Sequence, residues 1–197
     1  MKKRMLVILG VAWCLASGAA FADDDDGGAL RTYQTANIAV FGNPMLVLPG
    51  GATLYRGRQS LEMRIATSGL MMNTSYTVWW VIFNNPSACV GGCGGDDLPN
   101  PAVRASVLYA AGFVTGMSDT GNVTARLEAG TPPRGIDIET GNGLRRGRGF
   151  AAEVHLVIRT HGLTTPGQVD QQIGTFNGGC APTCANVQMA LFAPAMQ

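Results

Sequence analysis

The segment Tyr76–Phe83, YTVWWVIF, constrains the fold of this chain most strongly, because it is apolar on both faces of an extended backbone. Its residues are mostly aromatic or β-branched, and side chains alternate between the two faces of a strand. Residues 84–86, Asn-Asn-Pro, end it. The segment therefore predicts a central strand covered on both sides. We attribute Trp79 and Trp80 to core packing rather than to a sugar-binding platform.

Other segments have the pattern of strands that are buried on one face. Apolar and polar residues alternate within 61–67, 123–128 and 152–161, whereas 105–114 and 186–192 are mostly apolar. In the third of these segments, Val154, Leu156 and Ile158 are predicted to face inward. A short helix is predicted at Pro166–Ile173.

Glycine is frequent, at 27 of 197 residues, and favours tight turns over long helices. The predicted fold class is all-β. We expect an antiparallel β-sandwich, Ig-like or of Greek-key type, with long disulfide-closed loops and at most one short helix. The predicted organisation is a signal peptide over 1–22, an acidic, partly flexible segment over 23–44, and a single β-sandwich domain over 45–197.

The first 22 residues have the three parts of a secretory signal. Met1–Arg4 is basic, Met5–Leu15 is apolar apart from glycine, and Ala20–Ala22 is an A-x-A cleavage site. The apolar run is shorter than the ~20 residues that a membrane span needs. The sequence thus predicts an exported protein, periplasmic or extracellular, that starts at Asp23 and has no transmembrane segment after cleavage.

Cleavage would change the charge of the chain. The whole sequence has 14 basic and 13 acidic residues, and the leader carries three of the basic ones, including every lysine. The resulting mild net negative charge argues against nucleic acid as a partner. The run Asp23–Asp26 reads as a solvated tail, because a calcium loop spaces its acidic residues apart.

Four cysteines remain after cleavage, in two C-x3-C pairs. An even number of cysteines in an exported chain predicts disulfides, and we favour the local pairs Cys89–Cys93 and Cys180–Cys184. A zinc site made by all four thiolates is the alternative, since the spacing allows it. We expect no metal and no cofactor.

The two histidines are the weak candidates for catalysis. His155 and His161 are six residues apart on one predicted strand, too far apart to bind one metal together. We expect both on a solvent-facing surface with Glu153 and Arg159, where the charged residues could also form a cross-strand ladder.

Arginines in the loop 130–148 are the weak candidates for ligand binding. Arg145, Arg146 and Arg148 carry guanidinium groups that suit carboxylate, sulfate or phosphate, and Arg134 lies in the same loop. This loop could contact an anionic surface polymer. A solvated loop without a ligand is the other interpretation.

Local motifs of known enzyme classes are missing. Gly116–Thr120 has threonine where a nucleophile elbow needs its second glycine, and Gly141–Gly143 lacks the last glycine of a dinucleotide loop. The absence of these motifs argues against an enzyme, but a catalytic triad whose residues are distant in sequence would leave no local motif.

The strand that ends in Asn-Asn-Pro and the cysteine loop after it resemble a group of uncharacterised exported bacterial β-domain proteins. The segments 100–103, 152–162 and 175–180 extend the resemblance over residues 60–192. It implies an exported all-β domain and no activity. The stretch Gly69–Trp79 is similar, at the level of fold, to chordin-type (CHRD) β domains.

These observations favour an exported non-enzymatic β-sandwich protein with a binding or scaffolding role in the periplasm or at the cell surface. Its partner could be an anionic surface polymer or another exported protein. Two alternatives stay open: a small secreted hydrolase with a non-local histidine site, and a metal-binding periplasmic protein.

Overall fold

The computed structural model describes residues 31–131, 143–179 and 184–195, and this part of the chain is nearly all-β. The predicted leader, the acidic run Asp23–Asp26, Arg134 and Cys180 lie outside the described residues. The strands are β1 Thr32–Val40, β2 Asn43–Arg56, β3 Ser60–Thr67, β4 Thr74–Phe83, β5 Ala105–Val114, β6 Gly121–Glu128, β7 Glu153–Leu163 and β8 Ala185–Phe192. The helix α1 spans Val169–Gly174, and short 3-10 turns lie at Pro86–Ala88 and Gly95–Asp97.

The eight strands form one antiparallel sheet in the order β5-β4-β7-β8-β1-β2-β3-β6. Its two outermost strands approach each other. A Cβ added to Gly121 of β6 would lie 2.7 Å from Cε2 of Phe113 of β5, so the backbone of β6 lies directly against this ring. The sheet thus closes on itself in a barrel-like manner that is compatible with the predicted sandwich-type fold.

The main core lies inside this closed sheet. Alternate side chains of β4 and β7 point inward, among them Trp80 and the predicted inward-facing residues of β7. They meet residues from the opposite half of the sheet. The core includes Ile38, Leu54, Leu61, Met63, Ile65, Tyr76, Val78, Trp80, Ile82, Leu108, Val123, Val154, Leu156, Ile158 and Phe192.

A second apolar cluster covers the outer face of β4. Trp79, Val81 and Phe83 pack there against Val107 and Val157 of the neighbouring strands. The segment 84–104, which we call the cysteine loop, and the segment 164–179, which we call the α1 segment, lie over this face. All ten residues of β4 are buried, so the predicted central strand covered on both sides is confirmed.

The structure corrects the predicted boundaries at the N-terminal side. β1 begins at Thr32 and pairs with β2 and β8, so the sheet starts before the predicted domain boundary at residue 45. The helix begins at Val169 rather than Pro166. Among the described residues, no helix has the length and apolar character needed to cross a membrane.

Arg56, at the end of β2, is completely buried and ties several chain segments together. Its Nε donates to Oε1 of Gln34 at 2.6 Å, and its Nη1 donates to the carbonyl oxygens of Gly149 and Ala152. Nη2 donates to Ala193. Burial lowers the pKa of Arg56 to about 10, although the charge of Glu153 opposes this shift.

Candidate functional site

The cysteine loop is held in shape by a disulfide and a buried carboxylate. Cys89 and Cys93 are joined, with Cα atoms 5.1 Å apart, which is the local bridge favoured from the sequence. Asp97 accepts hydrogen bonds from the backbone N–H groups of Gly94 at 2.9 Å and Val90 at 3.3 Å. The disulfide leaves neither sulfur as a thiolate, so the four-thiolate zinc alternative is wrong for this structure.

Cys184 is also disulfide-bonded. Its expected partner, Cys180, lies outside the described residues. Within the described residues, no group of three or more histidine, cysteine or acidic side chains has the geometry to hold a metal ion.

A largely apolar pocket lies between the cysteine loop and the outer face of the sheet. Its volume is about 200 Å³, somewhat larger than the ~150 Å³ cavity that binds benzene in an engineered protein. Strands β4, β5 and β7 supply its floor, and loops supply its walls. The lining residues are Phe41, Trp79, Val81, Phe83, Gly94, Gly95, Leu98, Val107, His155, Val157, Phe176 and Asn186.

Phe176 of the α1 segment closes one side of the pocket. The rings of Phe176 and Trp79 form a T-shaped pair with centroids 4.9 Å apart. The guanidinium of Arg159 lies over the ring of Phe176, 4.2 Å from the centroid of that ring, in a cation–π contact. Arg159 also donates to the carbonyl oxygen of Phe176 at 2.9 Å and to Asn186 at 3.0 Å. Burial lowers the pKa of Arg159. These contacts fix the aromatic wall, and they replace the expected charge ladder.

His155 supplies a polar side chain to the pocket wall. Its Nε2 lies 2.7 Å from Oε1 of Glu153, and its ring packs against Phe83 at a centroid distance of 4.9 Å. Because a carboxylate only accepts, Nε2 carries the proton and Nδ1 is the acceptor in the neutral ring. Among the described residues, no donor forms a hydrogen bond with that Nδ1. His155 is half-buried, not solvent-facing as expected.

His161 is not part of the pocket. It is 1% exposed, so its predicted place on a solvent-facing surface is wrong. Nε2 lies 2.8 Å from Oγ1 of Thr77, and Nδ1 lies 3.0 Å from the carbonyl oxygen of Gly178. The α1 segment covers this end of β7. The face of β7 that carries Arg159 and His161 is therefore shielded from solvent there. Burial lowers the pKa of His161, and the nearby charge of Arg159 adds to that effect.

The candidate arginines lie away from the pocket, at the end of the sheet where β4 ends and β7 begins. Arg145 and Arg146 are exposed. Arg148 is half-buried and its Nε donates to the backbone oxygen of Asn84 at 2.7 Å. The structure therefore does not bring the candidate histidines and arginines into one site.

A wider, open groove of about 820 Å³ lies on the outer face of β1, β2 and β8. Its floor consists of small side chains around the bend of β2 at Gly50, where φ is +119° and a Cβ would lie 2.2 Å from the carbonyl oxygen of Ala66. Of the residues that the structure describes, none with a charged side chain lines it. The groove contains none of the candidate residues and offers little to orient a ligand.

Sequence reasoning missed most of the pocket. Val81, Phe83 and Val157 were identified only as strand residues, and the loop residues Leu98 and Phe176 were not considered. A signal for the two loop residues was present in the sequence, because each is a large apolar residue within a stretch rich in glycine and polar residues. Such residues commonly anchor a loop on a sheet face.

Comparisons with known proteins leave the family open. No protein-family model matches this sequence, and no curated protein matches it. A crystal structure of a proline-to-histidine mutant of an SOD-like protein from Bacillus subtilis superimposes with a TM-score of 0.37 and 12% identity, over 84% of this chain and 100% of that one. At this level the likeness carries no argument about fold or function.

Proposed function

We propose that this chain is an exported, non-enzymatic binding protein, and that the pocket under the cysteine loop holds a small apolar ligand about the size of a single aromatic ring. The observation that carries the proposal is the pocket itself: a volume of about 200 Å³ with mostly aliphatic and aromatic lining. Ligand sites typically combine apolar walls with a few polar groups that fix orientation. Here the free acceptor of His155 and the side chain of Asn186 have that role.

The rigidity of the walls supports the proposal. The disulfide and Asp97 fix the cysteine loop, and Arg159 fixes Phe176. A pocket that is already formed costs little ordering entropy on binding. The predicted signal peptide and the disulfide are both in keeping with export.

Calorimetric titration with indole and toluene, at neutral pH, tests the proposal. Val107→Phe places a larger side chain in the pocket, so we expect it to abolish binding. Val114→Phe is the matched control, because it makes the same change on the same strand at a position that is 40% exposed. The control should bind as the unmodified protein does.

A second blocking variant guards against misfolding of the first. Gly95 lines the pocket, its φ is not positive, and a Cβ there meets nothing within 4 Å. Gly95→Val should therefore fold and weaken binding. Binding that survives both Val107→Phe and Gly95→Val, or no binding by the unmodified protein to either compound, contradicts the proposal.

One observation favours a second candidate, the small hydrolase. Glu153 holds Nε2 of His155 and leaves Nδ1 to act as a general base, as in carboxylate–histidine pairs of hydrolases. Within the described residues, however, the pocket lining contains no serine, threonine or cysteine that could act as a nucleophile. Hydrolysis of p-nitrophenyl acetate that is lost in His155→Gln, with ligand binding retained, would favour this candidate.

A further inference from the structure

A second surface, distinct from the pocket, is formed by five arginines on three loops. They are Arg58 in the β2–β3 turn, Arg104 before β5, and Arg145, Arg146 and Arg148 before β7. We call this surface the arginine face. Four of the five side chains are exposed and Arg148 is half-buried.

Asn84 holds two of these loops together. Its side-chain Nδ2 donates to the carbonyl oxygen of Arg104 at 2.9 Å, and its Oδ1 accepts from the backbone N–H of Arg145 at 2.9 Å. One amide group therefore fixes the backbones of two arginines side by side. Asn84 is 1% exposed, so this linkage is protected from water.

The third loop joins the same surface through backbone contacts. The N–H of Gly149 donates to the carbonyl oxygen of Arg58 at 3.3 Å, and the N–H of Gly147 donates to Oε1 of Gln59 at 3.2 Å. A Cβ added to Gly149 would lie 1.9 Å from the carbonyl oxygen of Gly57, so the loops are in close contact. The five arginines are thus carried by one connected structure.

The charges of the arginine face are not neutralised within the described part of the chain. No ion pair there involves any of the five arginines. The acidic residues at this end are engaged elsewhere: Glu128 pairs with Arg126, and Glu153 pairs with His155. Five like charges that have no carboxylate partner within the described residues favour an anionic ligand.

We propose that the arginine face binds an acidic polysaccharide, one that carries carboxylate or sulfate groups along its length. The face is spread over three loops, and the pockets described above are not lined by any of its arginines. This geometry suits repeated charges on a polymer better than one small anion. Guanidinium groups bind carboxylate and sulfate through paired hydrogen bonds.

The lining of the face argues against two other anionic partners. Single-stranded nucleic acids need aromatic platforms for base stacking, and no exposed aromatic side chain lies in the described parts of these loops. The one large exposed apolar residue there is Val90, at the far end of the cysteine loop from Arg104 in sequence, so apolar side chains do not alternate with the arginines for insertion into a lipid surface. The inference does not depend on the pocket ligand.

Binding of heparin and of polygalacturonate, measured by calorimetry at several salt concentrations, tests the inference. Arg145→Gln combined with Arg146→Gln should weaken binding about tenfold and lower the slope of log affinity against log salt by about 2. The matched control combines Arg64→Gln with Arg126→Gln. It removes the same charge from exposed arginines that pair with Glu62 and Glu128 on strands β3 and β6.

The control should retain nearly the affinity of the unmodified protein. Binding of either polysaccharide with this pattern supports the inference. It is overturned if neither polysaccharide binds, if both double variants lose affinity equally, or if single-stranded DNA binds as tightly as the polysaccharides. Indole binding in the pocket should be the same in all these proteins, which separates this test from that of the proposed function.

Discussion

The hydroxyl of Thr77 lies 2.8 Å from Nε2 of His161 and also accepts a hydrogen bond of 2.7 Å from Nε1 of Trp79. Because the carbonyl oxygen of Gly178 can only accept, Nδ1 of His161 carries the proton of the neutral ring and donates it there. Nε2 is then the acceptor, so the hydroxyl of Thr77 donates to it while accepting from the indole of Trp79. This buried chain fixes a neutral histidine and gives it a structural role between the sheet and the α1 segment.

Replacing Thr77 tests this chain of hydrogen bonds. Thr77→Val keeps the shape of the side chain but leaves Trp79 Nε1 and His161 Nε2 without this partner. We expect a loss of about 2–4 kcal/mol in the free energy of unfolding, since a buried polar group without its partner costs about 1–3 kcal/mol. Thr124→Val, on the exposed face of β6, should change it by less than about 0.5 kcal/mol. Urea unfolding compares the two, and equal losses would contradict the assignment.

The stability of the protein should fall between neutral and mildly acidic pH because of His161. Burial lowers its pKa in the folded protein, whereas the unfolded chain has the ordinary value of about 6.5. Above that value both states are neutral and the full stability is present. As the pH falls below it, the unfolded chain takes up the proton first, so the free energy of unfolding decreases.

Urea midpoints at pH 7.5, 6.5 and 5.5 measure this effect. The difference between pH 7.5 and 5.5 should be smaller in His161→Gln than in the unmodified protein, because glutamine does not titrate. His155 is present in both proteins and so cancels. Parallel pH profiles would show that His161 is not the group responsible.

Neighbouring asparagines should differ sharply in their contribution to stability. Asn84→Ala removes side-chain hydrogen bonds to Arg104, Gly143 and Arg145 in a buried place, and we expect a loss of about 2–4 kcal/mol. Asn85→Ala removes one exposed bond to Ala102 and should cost about 1 kcal/mol or less. Chemical unfolding of both variants measures the two losses in the free energy of unfolding. A larger loss in Asn85→Ala would contradict the role given to Asn84.

Trp80→Ala should be more damaging to stability than His155→Ala. Trp80 is 1% exposed and lies in the main core, where such truncations cost about 3–5 kcal/mol. His155 is half-buried and has one charge-assisted partner, Glu153, so its loss should cost about 1.5–3 kcal/mol. Urea midpoints of the two variants give the order. The reverse order would mean that His155 is a structural residue rather than part of a binding wall.

Strands with a clear pattern were predictable from the sequence. β3, β6 and β7 alternate, and β4 is apolar throughout, so each was located within two or three residues. The first two strands were not predicted. β1 is bulged at Asn37, and the first part of β2 is largely exposed and contains two prolines and two glycines. Local composition in that region indicates a loop, but pairing with β3 and β8 makes it part of the sheet.

The faces of β7 show why the site was harder to predict than the fold. The inward face, Val154, Leu156 and Ile158, was correct because the core imposes the period of two. The opposite face carries polar residues and was interpreted as solvent-facing. Its cover comes from Phe176 and the cysteine loop, which are distant in sequence and have no periodicity of their own. No single-sequence pattern reports such a contact.

NMR of the protein in toluene-saturated buffer shows directly whether the pocket under the cysteine loop holds a small apolar molecule. Intermolecular NOEs should join toluene protons to the methyl groups of Val81, Val107 and Val157, and Val107→Phe should remove them. Absence of these NOEs, or NOEs only to Val47 and Met189 in the outer groove, would show that the pocket does not hold the ligand.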